Sequence, residues 1–230
     1  MTTSIFEGFR PAAYPYRFDV ELVIGTLAGG TPTDPKVAEG WLKTKLGLDP
    51  GDLLRDEVAK VMVERGVTDM DEAVGAVVAD KHLNGFRRME SGELFIEGRQ
   101  VKAMVKEAAN IRWPKDRWGP SSKGTRSFFA EHFFIAENRI GLGVTEPTAI
   151  EQRFVHTWRG NGIQYEETVT DAHVAFTLYC DYDLDAETKN CKKGEGWALF
   201  WLTAESNGLG ASRSQGYGKF VVTKFDRATD

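Results

Sequence analysis

Phe18, Val20, Leu22 and Ile24 alternate with Asp19, Glu21 and Val23, which is the period of two of a strand with one buried face. That strand is expected to end at Gly25, and Gly29-Gly30-Thr31-Pro32 opens a loop. The period then changes. Val37 to Leu46 reads as a short helix, and Leu53, Leu54, Val58, Val61 and Met62 fall on one helical stripe after Pro50-Gly51-Asp52. Thr68 with Asp71 forms a capping box before Ala73, Val74, Val77 and Val78. These pieces predict a helical insertion at about 35–86 whose apolar stripes serve packing.

A brief hairpin at 89–96 leads to a helix with Val101, Met104, Val105, Ala108 and Ala109 on one face and Lys102 and Lys106 on another. Trp113-Pro114 stops it, and a basic, aromatic loop is expected over about 112–128. Further strands are expected at 133–136, 150–157, 163–169, 174–180, 197–203 and 217–225. Arg159-Gly160-Asn161-Gly162 supplies a tight turn between two of them. Strands separated by turns more than by helices favour a mainly antiparallel α+β sheet, read here as a single domain over 1–230.

Composition narrows the class. A chain of 230 residues buries a core without staples. Cys180 and Cys191 have no Cys-x-x-Cys pairing and no adjacent histidine, so neither a disulfide framework nor a metal or redox motif is indicated. Free thiols, no signal-like N-terminus and no long apolar run lead to the expectation of a cytoplasmic protein away from membranes. The net charge of −5 argues against indiscriminate nucleic-acid binding. Its distribution is uneven, however: Arg112, Lys115, Arg117, Lys123 and Arg126 stand against Asp116 alone, while 34–72 is acidic. A local basic feature can therefore still meet phosphate.

Cations neutralise phosphates and aromatic faces stack on unpaired bases, at about 1–3 kcal/mol per base. Arg112, Trp113, Lys115, Arg117, Trp118, Lys123 and Arg126 have the composition of a single-strand-binding loop. The other reading of that segment folds its tryptophans back into the core.

Near the C-terminus the chain reads Gly208-Leu209-Gly210-Ala211-Ser212-Arg213-Ser214-Gln215-Gly216-Tyr217-Gly218-Lys219. Two Gly-apolar-Gly triplets thus flank an arginine and run into a strand. No helix follows and no Gly-Lys-Ser/Thr ending is present, so this is neither a dinucleotide fingerprint nor a P-loop. The bland reading is a Gly/Ser hairpin. The loop resembles the glycine-rich signature of the RAMP superfamily, RNA-binding proteins of CRISPR systems. Phe95-Ile96-Glu97-Gly98-Arg99-Gln100-Val101-Lys102 resembles a second patch of that family, with Glu97 where the family has proline.

The resemblance implies an RRM-like, ferredoxin-type fold carrying the insertion and a protruding, thumb-like basic loop. It also implies a subunit of a CRISPR-type ribonucleoprotein that binds single-stranded RNA, with neighbouring copies or related subunits as partners. Single-stranded DNA on a viral assembly protein is the other nucleic-acid reading. Gly208, Gly210 and Gly216 would offer backbone N–H groups to phosphates, Arg213 its charge, and Lys219 an extension of the patch.

Catalysis has less behind it, and no cofactor or metal is expected. His82, His132, His156 and His173 are scattered. The target-cutting members of the family place an aspartate after the first strand, where Asp34 stands; Asp34-Pro35-Lys36 also reads as a helix cap. A RAMP-type endoribonuclease remains the enzymatic alternative. Asp181, Asp183 and Asp185 alternate without the glycine and terminal glutamate of a calcium loop, and read as a solvated turn.

Overall fold

A computed structural model describes residues 14–32, 63, 83–157, 160–186 and 189–228. The expected helical insertion lies outside them apart from Val63 and 83–86, as does Asp34. The chain divides into two compact units. One is Met1–Leu27, Arg88–Glu146 and Val169–Asp230; the other is Ala28–Arg87 and Pro147–Thr168.

In chain order the elements are β1 (Tyr16–Ala28), β2 (Thr31–Pro32), β3 (Leu83–Gly85), β4 (Arg87–Arg88), β5 (Leu94–Glu97) and α1 (Gly98–Arg112). Then come β6 (Arg117–Trp118), β7 (Lys123–Gly124), α2 (Thr125–His132), β8 (Phe133–Ile135), β9 (Arg139–Gly141), β10 (Ala149–Thr157) and β11 (Gly160–Cys180). The last are α3 (Gly196–Asn207) and β12 (Phe220–Arg227).

In the first unit the sheet order is β12-β1-β11, with β8 on the far side of β11. β12 is antiparallel to β1 from Phe18 opposite Arg227 to Ile24 opposite Phe220, with a register shift between Glu21 and Leu22. β8 is antiparallel to β11, Leu178 facing Ile135. With α2 and the shorter strands left aside, these sheet strands and the helices α1 and α3 follow the order β1, α1, β8, β11, α3, β12, and the last strand returns beside the first. Phe18, Val20, Leu22 and Ile24 are buried, as their spacing predicts. The strand does not stop at Gly25: Gly25 N–H donates to the Lys219 carbonyl at 3.0 Å, and pairing carries the backbone on to Ala28.

Residues 197–203 form part of helix α3, not the expected strand. Its apolar residues run nearly all round, which conceals the period. The buried set Trp197, Phe200, Trp201 and Ala204 nonetheless has i, i+3, i+4, i+7 spacing. The alternating aspartates brace its start instead of forming a solvated turn. Asp185 Oδ1 accepts the Trp197 N–H at 3.1 Å, and Asp183 Oδ1 accepts the Trp197 indole N–H at 3.1 Å.

The core of this unit is an aromatic stack that ties both helices to the sheet. Phe129 of α2 stacks on Phe133 of β8 at 4.4 Å, and also on Phe200 of α3 at 6.0 Å. Phe18 of β1 lies 4.8 Å from Trp197 and stacks on Phe225 of β12 at 4.5 Å.

The second unit is the predicted hairpin of β10 and β11, paired from Ala149 opposite Thr168 to Thr157 opposite Gly160. β3 adds in parallel at Tyr165 and Glu166, and β2 is antiparallel to β3. The buried Glu167 carboxylate accepts the Phe86 N–H at 2.9 Å.

Phe129→Ala empties the centre of the aromatic stack and is expected to cost about 3–5 kcal/mol. Equilibrium urea unfolding measures this; a loss below about 1 kcal/mol contradicts the central position of Phe129.

Candidate nucleic-acid interface

The glycine loop begins where α3 ends. Gly208 sits at φ 85° and ψ 171°, a backbone position closed to most L-residues, and its N–H donates to the Ala204 carbonyl at 2.8 Å. Leu209 is fully buried. Its N–H reaches the Gly218 carbonyl at 2.8 Å, while Gly218 N–H reaches the Thr26 carbonyl at 2.8 Å. The outermost glycines of the two triplets thus press backbone on backbone. A Cβ at Gly218 would stand 1.9 Å from the Leu209 carbonyl oxygen, and one at Gly208 2.9 Å from that of Gly218. Between these anchors the tip turns through Gly210, Ser212 and Gly216, all with positive φ, around a single 3-10 turn at Arg213–Gln215.

This geometry redistributes the expected roles. The N–H groups of Gly208 and Gly216 are taken up inside the chain, the latter by the Arg213 carbonyl at 3.0 Å, so neither is on offer to a phosphate. For Gly210 N–H no such bond is present among the described residues. Lys219 donates its ammonium to the Ser206 carbonyl, capping the C-terminal end of α3. Arg213 is ion-paired with Glu107 of α1 at 2.7 Å, at a partly exposed position.

In the basic segment the two expected stacking residues point inward. Trp113 and Trp118 are 3% and 0% exposed. Trp118 packs edge-on against Trp113 at 5.1 Å and stacks on Phe128 at 5.6 Å. Thr125 braces them: its hydroxyl accepts the Trp118 indole N–H at 2.9 Å and donates to the Trp113 carbonyl at 2.6 Å. As placed, these indoles cannot face a base. Their burial instead holds Arg112, Lys115, Arg117 and Arg126 outward, all exposed, and none of the four is paired with a carboxylate among the described residues. Lys123 is engaged with Glu131. The segment is also less of a loop than expected, since β6 and β7 pair as a short ribbon and α2 starts at Thr125.

The sheet face away from the helices has the opposite sign. A groove of about 330 Å³ is lined by Glu21, Glu93 and His173, and an adjoining one of about 260 Å³ by Asp19, Glu21, Glu137 and Lys224. Asp19 is paired there with Arg17 at 3.7 Å and Glu21 with Lys224 at 3.3 Å, so Glu93 and Glu137 carry the excess negative charge of that face.

Of the histidines, His173 is exposed in the first of these grooves, whereas His132 is paired. His132 Nδ1 lies 2.8 Å from Asp181 Oδ1, with its ring stacked on Phe128 at 4.2 Å. His82 and the His156 side chain lie outside the described residues. Burial pushes the Cys180 thiol up to about 12, which keeps it protonated and inert. No group of histidine, cysteine, aspartate and glutamate able to hold a metal is found among the described residues, nor is any helix there long and apolar enough to cross a membrane.

One notable residue was not singled out by sequence reasoning. The Lys102 ammonium is buried without a hydrogen-bond partner and lies 4.3 Å from the centre of the Phe134 ring. Desolvation, with Lys106 adding repulsion, lowers its pKa to about 8. The sequence places it with Lys106 on another face than the apolar stripe of α1, so no local signal points to its burial.

No known protein family matches the chain, and no curated protein does. Among solved structures, it is similar to a chain of the "Cryo-EM structure of the Type III-B Cmr-beta bound to cognate target RNA", at 11% identity and a TM-score of 0.49. The match covers 97% of this chain and 65% of that one. A likeness of that size leaves the reading to the residues themselves.

Two outcomes follow from this geometry. Gly218→Ala drives a methyl into the Leu209 carbonyl and is expected to unfold the protein or cost several kcal/mol, whereas Gly216→Ala, with open space around it, costs about 1 kcal/mol for its left-handed backbone. Thermal melts of the two variants rank them, and equal losses contradict the anchoring role of Gly218. Lys102 binds its proton less tightly folded, near pH 8, than unfolded, near 10.5. Its burial cost is thus fully present below pH 8 and is relieved as pH rises to 10.5. Lys102→Met should raise the melting temperature at pH 7 and gain less at pH 10; an equal gain at both pH values counts against an unpaired ammonium.

Proposed function

We propose that this chain binds single-stranded nucleic acid, with RNA the favoured strand, as a subunit of a CRISPR-type ribonucleoprotein. The observation that carries the reading is the outward set Arg112, Lys115, Arg117 and Arg126, unpaired with carboxylates among the described residues and held by the buried Trp113, Trp118 and Thr125. Unpaired cations on a rigid support, in a chain of net charge −5, concentrate positive potential at one place. They carry no base-reading geometry, so binding is to the sugar-phosphate backbone.

Two further features support the family part of the proposal. The strand order β12-β1-β11-β8, with α1 and α3 as crossovers, supports a ferredoxin-type or RRM-like fold. The glycine loop that resembles the RAMP signature lies between α3 and β12. The acidic sheet face turns the strand away from the surface that RRM domains use and toward the basic segment and Arg213. Neighbouring copies or related subunits along the same strand belong to this reading.

The test is a fluorescence-anisotropy titration of labelled oligouridine with the full chain, at several salt concentrations. Replacing Arg112, Lys115, Arg117 and Arg126 by glutamine should weaken binding at least tenfold. It should also reduce the salt slope by about 0.7 for each phosphate that the variant no longer neutralises. Arg213→Ala should weaken binding to unrelated sequences by a similar factor. Unchanged affinity and slope in the quadruple variant would overturn the proposal.

A further inference from the structure

Glu107 is the one acidic residue of α1, whose other charged residues are Arg99, Lys102, Lys106 and Arg112. It is also the residue that holds Arg213, the one cation at the tip of the glycine loop, through a hydrogen-bonded ion pair of 2.7 Å. We infer that Glu107 occupies the place of a backbone phosphate on Arg213, so that strand binding at the loop exchanges one carboxylate for one phosphate on the same guanidinium. This rests on the reading of the loop as a phosphate contact.

Three observations support the exchange. The pair is partly exposed, with 29% of the Arg213 side chain and 37% of the Glu107 side chain open to solvent. A pair this exposed is weak, and displacing it costs little. The loop's anchors do not depend on it, because Leu209 and Gly218 hold the two ends by backbone bonds and by burial. Breaking the pair therefore frees the arginine and leaves the loop in place.

The surroundings favour the exchange once a phosphate arrives. Lys106 precedes Glu107, and Arg112 stands about 7.5 Å further along the helix axis. Neither is paired with a carboxylate among the described residues. A phosphate offers the guanidinium the same two-oxygen geometry as a carboxylate; Lys106 and Arg112 lie about 100° and 140° round the helix from Glu107 and act on it only through their longer-range positive field. In the free protein Glu107 satisfies Arg213 and lowers the positive potential of the loop.

The experiment is a double-mutant cycle on the full chain, read by oligouridine binding at low salt. Glu107→Gln should bind about two- to fivefold more tightly than the parent. That gain should vanish in the Arg213→Ala background. A melting temperature for Glu107→Gln close to the parent's separates competition from a structural role, in which affinity and stability would fall together. If Arg213→Ala weakens binding but Glu107→Gln does not tighten it, the exchange is overturned and the loop remains a phosphate contact. A gain that persists without Arg213 also overturns the exchange, since it then reflects only the removal of a negative charge. If neither the parent nor any variant binds the strand, the reading of the loop falls and this inference falls with it.

Discussion

The first unit depends on one close approach of backbone to backbone. Gly218 lies under the Leu209 carbonyl, Leu209 donates to Gly218, and Gly218 donates in turn to Thr26 of β1. Through these bonds the end of α3, the entry to β12 and the edge of β1 meet at a point with no room for a side chain. Only glycine tolerates both the distance and the positive φ. The consequence runs beyond the loop: the register of β12 on β1, which begins with Phe220 opposite Ile24, is fixed where the loop delivers the chain. A buried Leu209 secures the crossing by the apolar surface it removes from water.

Aromatic burial and surface charge are coupled in the basic segment. A stretch that carries cations and indoles together satisfies two arrangements, one with the rings outward for bases and one with the rings inward for the core. Thr125 favours the inward arrangement, because its hydroxyl satisfies the Trp118 indole and the Trp113 carbonyl at once, while the buried Trp113 indole N–H is left without a partner. With the rings inside, the charges have only solvent to face. The rigidity of the cationic surface therefore comes from the same residues that stacking would have needed.

What could be read from residue order alone follows physical lines. β1 and α1 were legible because their burial is one-sided, and one-sided burial writes a period into the chain, whereas the β10–β11 hairpin was legible from the turn signal Arg159-Gly160-Asn161-Gly162. Helix α3 was not, since Trp197, Ala198, Leu199, Phe200, Trp201 and Leu202 are apolar in succession and fit strand or buried helix equally. The two Gly-apolar-Gly triplets were visible, yet the decisive role of Gly218 was not, because it depends on a carbonyl nine positions earlier. The inward turn of the tryptophans, the pairing of Arg213 with Glu107 and the orphaned ammonium of Lys102 are likewise tertiary facts. No local pattern announces them.

Charge is separated within the first unit, which reconciles the proposed binding of a polyanion with a net charge of −5. Carboxylates gather on the open sheet face, at Asp19, Glu21, Glu93 and Glu137, while unpaired cations gather at the end of α1 and on the segment that follows. Beyond about 10 Å at moderate salt each region is screened from the other. A strand arriving at the basic side therefore responds to the local field more than to the net charge. A uniformly basic surface would hold any polyanion in any orientation. On the proposed reading, the segregated charge limits a strand's approach to the basic side, where Arg112, Lys115, Arg117 and Arg126 are exposed.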